Sequence, residues 1–236
     1  MFKTYQKSAD YSYTEGMFPT FELVKKHPEA VLALYVDPDS ASSEGALKLK
    51  ELVSPSQFIV SGKSVARLSS KGNAHVIGVF KKYEEKLYPS APHVVLVNPS
   101  DMGNLGNIMR SMLAFSYKDL AIVLPAADRF APHVVRSSMG AFFSIRQETF
   151  ESFDEYLAKY PRPYYPFMLN PSTTPLSKVE LPKDSSFALV FGNEATGLPK
   201  ELGNGNTVFI EQSKDVDSLN LATSVVLALY RFRINR

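Results

Sequence analysis

The chain has 236 residues, 44% of them hydrophobic and 21% charged, with a formal net charge of +2 and no Cys. That length suits one large domain or two modest ones with cores that need no staples, and the lack of Cys excludes disulfides, thiolate-bound metal and a thiol nucleophile. The near-neutral balance excludes a strongly basic nucleic-acid binder, so any such surface must be a local patch.

In chain order, the opening MFKTYQKSADYSYTEG is polar and lacks the apolar core of a secretory signal. A short helix is predicted over 19–27, a buried strand over 30–36 and a turn at DPDS. An amphipathic helix follows over 43–53, with Ala46, Leu47, Leu49, Leu52 and Val53 apolar. Then come a short strand at QFIV, a short helix over 63–70, a turn at KGN, and a strand over 75–83 with Val76, Gly78 and Phe80 on one face. These elements make a small α/β domain, 1–83.

EEKLYPSAP, 84–92, reads as a linker. A second α/β series runs from 93 to 236. Strands are predicted at 93–98, 119–125, 164–170, 186–194 and 206–212, with a partial one in 142–150. Helices are predicted at 104–115, from 131 to near Gly140, at 151–160 and at 217–233. Continuous apolar strands separated by helices predict a mostly parallel sheet covered on both faces. No run is long enough to span a membrane, and the four His (His27, His75, His93, His133) have no metal-ligand spacing. The expectation is a cytoplasmic protein with no metal site.

Ligands of such sheets bind beyond the C-terminal strand ends. Three turns there are rich in Gly, Asn, Asp and Ser: NPSDMGNLGNIMRS after the first strand of the second series, GNEATGLP after FALVF, and EQSKDVDSLNLA after TVFI. In the first, Asn104 is a reasonable N-cap, and Gly103 and Gly106 permit close backbone approach to an anion at the helix start. Neither the dinucleotide fingerprint nor the Walker loop is matched there. Each turn alone reads as an ordinary loop; their convergence carries the information.

Together the three turns resemble the motifs of the SpoU/TrmH-type branch of the SPOUT methyltransferases. Asn104, Gly106, Arg110 and Ser111 match its N-x-G-x-x-x-R motif, Ser138, Gly140 and Ala141 a Ser-Gly-Ala element, LVFGNEATGL the second motif, and Ser218-Leu219-Asn220 the third. Residues 1–83 are similar to the small L30e-like RNA-binding domain that often precedes it. The resemblance implies an α/β fold with a deep trefoil knot in the C-terminal domain, bound S-adenosylmethionine, a homodimer, and methyl transfer to a ribose 2′-hydroxyl of tRNA or rRNA. It implies catalytic roles for Arg110, Asn104, Glu194, Ser218 and Asn220. Arg110 is better suited to binding phosphate and stabilising an alkoxide than to acting as a base, because a guanidinium is a permanent cation. Glu194 would orient Arg110 or the ribose. Leu169, Gly192, Asn193, Gly197, Ile210 and Leu219 would hold the cofactor. Lys63, Arg67, Lys71, Lys81 and Lys82 would form the RNA-binding patch. One departure stands out: Glu211-Gln212 replaces the family's usual Pro-containing sequence after Ile210.

A different class of function remains open, a catalytically silent RNA-binding or assembly factor on the same fold. A nucleotide-dependent α/β enzyme is a third reading, weakened by the missing phosphate loops.

Overall fold

The computed structural model of the chain describes residues 2–70, 72, 74–184 and 186–233. In chain order its elements begin with β1 (Tyr11–Glu15), α1 (Met17–Lys26), β2 (Val31–Val36), α2 (Glu44–Leu52), β3 (Phe58–Val60), α3 (Gly62–Leu68) and β4 (Val76–Lys81). They continue with β5 (His93–Val97), α4 (Met102–Ala114), β6 (Asp119–Val123), α5 (Pro132–Ser137), β7 (Arg146–Phe150) and α6 (Phe153–Lys159). Last come β8 (Tyr164–Pro166), β9 (Thr174–Pro175), β10 (Ala188–Phe191), β11 (Val208–Phe209) and α7 (Leu221–Arg231). They fall into two compact units, Met1–Tyr83 with Asp128–Ser144, and Glu84–Ala127 with Ile145–Arg236.

The first unit carries a mixed sheet in the order β1-β4-β2-β3. β4 lies between β1 and β2, antiparallel to both, so Val76–Phe80 are buried on both faces rather than one. Gly78 is required there, because a Cβ would lie 2.5 Å from Thr14 Oγ1, which accepts the Gly78 N–H at 2.9 Å. β1 is the strand of this unit that the sequence reading missed. Its Ser12, Thr14 and Glu15 are buried, and each is satisfied by a side-chain hydrogen bond: Ser12 Oγ to Phe130 O, Thr14 to Thr20 at 2.7 Å, and Glu15 to Ser70 and Arg136. Satisfied polar groups can be buried without an apolar pattern to announce them.

Residues 128–144 lie with this unit, although the sequence shows no break in the series that begins at 93. Phe130 and Phe142 pack on Phe80 with ring centroids 6.5 and 6.0 Å apart, and Arg136 donates to Glu15 at 3.1 Å. The helix predicted from 131 to near Gly140 stops at Ser137. Met139 and Gly140 take left-handed φ of 49° and 81°, which no helix continues through.

The second unit is built on a five-stranded, wholly parallel sheet in the order β7-β6-β5-β10-β8. Val95, Val97, Ala121, Val123, Ala188 and Val190 form one buried face with Phe153 and Tyr156 of α6. Alternation sends Val94, Leu96, Leu120, Ile122 and Leu189 to the opposite face, equally buried. α7 packs against α4 and β10. The strand expected over 206–212 shrinks to β11, which pairs with β9 in a separate two-residue parallel ladder. Residues 84–92 have no regular structure but are fastened to the second unit. Leu87 N–H donates to Glu148 at 3.1 Å, Tyr88 N–H to Asp119 at 2.7 Å, and Arg162 to the carbonyls of Pro89 and Ala91 at 2.8 Å each.

Candidate functional site

The site is assembled where β5, β10 and β8, neighbours in the sheet, all end. After β5, Asn98 turns the chain with φ 55°, and Asp101 caps α4 by accepting the Asn104 N–H at 2.6 Å. The cap is therefore Asp101, not Asn104 as expected, and the Asn104 side chain is released for other work. Its Nδ2 donates to Glu194 Oε1 at 3.2 Å, and its Oδ1 accepts from Asn220 Nδ2 at 2.9 Å. Asn220 in turn caps α7, with Oδ1 accepting from Ala222 N at 2.8 Å and Thr223 N at 3.3 Å. One hydrogen-bonded chain thus joins the three turns singled out in the sequence.

Glu194 is the anchor of that chain. Its Oε2 accepts from Ser100 N at 3.0 Å and Ser100 Oγ at 2.7 Å, and its Oε1 from Asp101 N at 3.2 Å as well as from Asn104. Four donors fill the four lone-pair sites of a carboxylate. Burial opposes its ionisation, but the bonds from Ser100 and Asn104 prevail and hold the carboxyl down to about 2. A group so engaged is a fixed anion and cannot serve as a base near neutrality. Its partners are Ser100, Asp101 and Asn104; it makes no bond to Arg110, one of the two groups, with the ribose, that it is expected from sequence to orient.

The turn after β10 is closed on itself. Asn193 and Gly197 exchange backbone bonds of 3.2 and 2.9 Å, and Asn193 Oδ1 accepts from Ala195 N and Thr196 N at 2.9 and 3.1 Å. Asn193 Nδ2 also donates to Asn98 O at 2.8 Å, tying this turn to the end of β5. A Cβ on Gly192 would fall 2.2 Å from the Gly197 carbonyl carbon and 2.3 Å from Leu198 N. Gly197 itself has φ 68°. The two glycines are demanded by the loop's own backbone.

A cavity of about 950 Å³ opens beside these turns. All six residues expected to hold a cofactor, Leu169, Gly192, Asn193, Gly197, Ile210 and Leu219, line it, with Glu194 and Ser218. Phe167 and Phe191, stacked with centroids 4.5 Å apart, form part of its wall. Asn104 and Asn220 are not among the lining residues. Sequence reasoning missed Asn170, Thr173, Thr196, Lys200, Thr207 and Ser224 on the wall. Asn170 and Thr173 follow β8, and applying the strand-end rule to that strand would have found them.

Arg110 is not part of the lining. It is exposed on α4, on the side away from the buried Leu105, Ile108, Met109 and Met112, and it makes no hydrogen bond or ion pair among the described residues. The residues expected to meet RNA are unequal. Lys63 and Lys81 are exposed and Arg67 is partly buried. Lys82 is engaged, donating to Lys7 O at 2.9 Å and lying 4.8 Å from the Tyr5 ring centroid. Lys71 lies outside the described residues. Among the described residues no cluster of His, Asp or Glu could hold a metal, and no helix is long and apolar enough to cross a membrane.

Residues 91–230 match the model of the SpoU rRNA Methylase family. The chain is 26% identical over 182 residues to an uncharacterized tRNA/rRNA methyltransferase of Synechocystis sp., covering 75% of this chain and 66% of the relative. It is 27% identical over 155 residues to the 23S rRNA (guanosine(2553)-2′-O)-methyltransferase RlmP of Bacillus subtilis, covering 64% of this chain and 61% of that one. The matches thus span just under two thirds of the length of these relatives. Among solved structures, the SpoU methyltransferase AviRb from Streptomyces viridochromogenes in complex with AdoMet superposes with a TM-score of 0.80 at 23% identity, over 94% of this chain and 89% of that one.

Proposed function

Because the chain belongs to the SpoU rRNA methylase family, we propose that it binds S-adenosylmethionine in the cavity and methylates a ribose 2′-hydroxyl of structured RNA, tRNA or rRNA. The observation that carries this reading is the cavity at the ends of β10 and β8, with three turns locked together beside it. Its size lies in the range of small-molecule pockets. Its chemistry suits the cofactor: the apolar side chains of Leu169, Ile210 and Leu219 for a purine, and the amides and hydroxyls of Asn170, Thr173 and Ser218 for ribose hydroxyls and an amino-acid tail.

The cofactor supplies an electrophilic methyl on a sulfonium that leaves as a neutral thioether. The remaining barrier lies in placing and activating a weakly acidic hydroxyl. Arg110, exposed and without a partner among the described residues, is free to bind the phosphate beside the target ribose and to stabilise the developing alkoxide, while that phosphate or a water takes the hydroxyl proton. Glu194, Asn104 and Asn220 hold the turns in register and do not exchange protons. Ser218, exposed on the rim, is suited to contact cofactor or RNA.

The same reading gives the first unit the role of an L30e-like RNA-binding domain, with exposed Lys63 and Lys81 as its phosphate contacts, and places the work in the cytoplasm. It gives the second unit the family's trefoil knot and a homodimer. Leu113, Leu227 and Tyr230, exposed on α4 and α7, support the pairing of two copies.

Calorimetry with S-adenosylmethionine and a methyl-transfer assay on total RNA test the proposal together. The wild-type chain is expected to bind and transfer. Arg110→Ala is expected to lose about 100-fold or more in transfer while keeping its cofactor affinity, as for the loss of a transition-state donor. A wild-type chain that binds RNA but no cofactor would instead be a silent RNA-binding factor.

A further inference from the structure

The segment after β11 departs from the family's pattern at Glu211, and this residue has a specific partner. Ile210 and Gln212 line the cavity, whereas Glu211 between them does not. It turns to the short helical turn at Leu176–Lys178, where its carboxylate accepts both the Oγ–H of Ser177 and, at 3.4 Å to each oxygen, the Ser177 N–H. The serine hydroxyl, the largest influence on this carboxyl, holds it below the usual carboxylate range.

The clasp lies just past the end of the β9–β11 ladder. That ladder has only two residue pairs, Val208 with Thr174 and Phe209 with Pro175, too few to fix the chain beyond it. The turn that Glu211 grips is anchored from another side, because Arg231 of α7 donates to Leu176 O at 3.2 Å and Val179 O at 2.7 Å. The carboxylate therefore ties a cavity-lining segment to a turn that is itself pinned to the last helix. A proline would stiffen the same position by fixing its own φ. Glu211 reaches the result through a side chain.

We propose that Glu211 is a positioning residue for the cofactor: clasped by Ser177, it holds Ile210 and Gln212 against the cavity and so sets cofactor affinity without touching the reacting atoms. This rests on the methyltransferase reading above.

The test uses the full chain with Glu211→Gln, Ser177→Ala, Ser177→Thr and the double variant E211Q/S177A. Loss of a charge-assisted bond that preorganises a loop is expected to weaken S-adenosylmethionine binding and raise its KM about threefold to tenfold. The kcat at saturating cofactor should stay within about twofold of wild type, the mark of a role in binding alone. S177T, which keeps the hydroxyl, should behave as wild type, and the double variant should lose no more than E211Q. Without cofactor, amides in 208–212 should exchange faster in E211Q than in wild type. Wild-type affinity in both E211Q and S177A, or losses that add in the double, would overturn the proposal and leave the methyltransferase reading standing. A wild-type chain that binds no S-adenosylmethionine would overturn both.

Discussion

Gly192 and Glu194, two residues apart, are constrained in opposite ways. Gly192 must lack a side chain because Gly197 and Leu198 backbone atoms already occupy the space, and Glu194 must have its carboxylate because four donors converge on it. The sequence marked both as candidates for contact with a ligand. The structure adds that each first serves the loop itself. Gly192→Ala is expected to destabilise the fold by about 2–4 kcal/mol, since the clash is with backbone that cannot swing aside. Gly205→Ala, where a Cβ meets nothing within 4 Å, should stay within about 0.5 kcal/mol in the same urea titration. Equal midpoints for the two variants would refute the steric account.

At the scale of elements, the start of α7 is where stability and site order meet. Asn220 caps the helix with its carbonyl oxygen and ties it to Asn104 with its amide nitrogen. Asn220→Ala removes both and should cost about 1–2 kcal/mol, the usual worth of a cap. Asn220→Asp restores an acceptor, with a charge favoured at a helix N-terminus, but cannot donate to Asn104. Thermal unfolding should therefore recover in Asn220→Asp while cofactor affinity does not; recovery of both would show that the tie to Asn104 is idle. The predicted elements were legible wherever apolar periodicity was strong, as in β5, β10, α4 and α7. They were not legible in β1, whose buried Ser12, Thr14 and Glu15 depend on partners on distant segments, or in β9, which exists only by pairing with β11.

For the whole molecule, acid should act in two stages. His93 is fully buried: its Nε2–H donates to Tyr88 O and its Nδ1 accepts from Tyr156 Oη–H, both at 3.0 Å. Burial, partly offset by the Tyr88 carbonyl, lowers it from 6.5 to about 4. The unfolded chain therefore binds a proton before the folded one does, and stability falls as pH drops from about 6.5 to 4, by up to roughly 3 kcal/mol. Glu194, lowered to about 2 against an ordinary 4.5, contributes stability above that ordinary value and loses it as pH falls further towards 2. Urea midpoints measured from pH 7 to pH 3 should decline through the first window and keep declining through the second. His93→Gln should flatten the part above pH 4; a wild-type profile already flat there would contradict the burial of a neutral imidazole.

The sequence by itself determined the parallel α/β character of residues 93–236 and the three turns that matter. Both follow from local signals: apolar runs bounded by Gly, Asn and Asp, at strand ends where ligands bind. Only the tertiary structure decided that residues 128–144 pack with the first unit, that Asp101 rather than Asn104 caps α4, and that Glu194 is a fastener already saturated with donors. It also decided that Glu211 finds Ser177, 34 residues away in sequence. These are pairings between distant segments, and a chain's local pattern shows which residues can form hydrogen bonds but not which of them will meet.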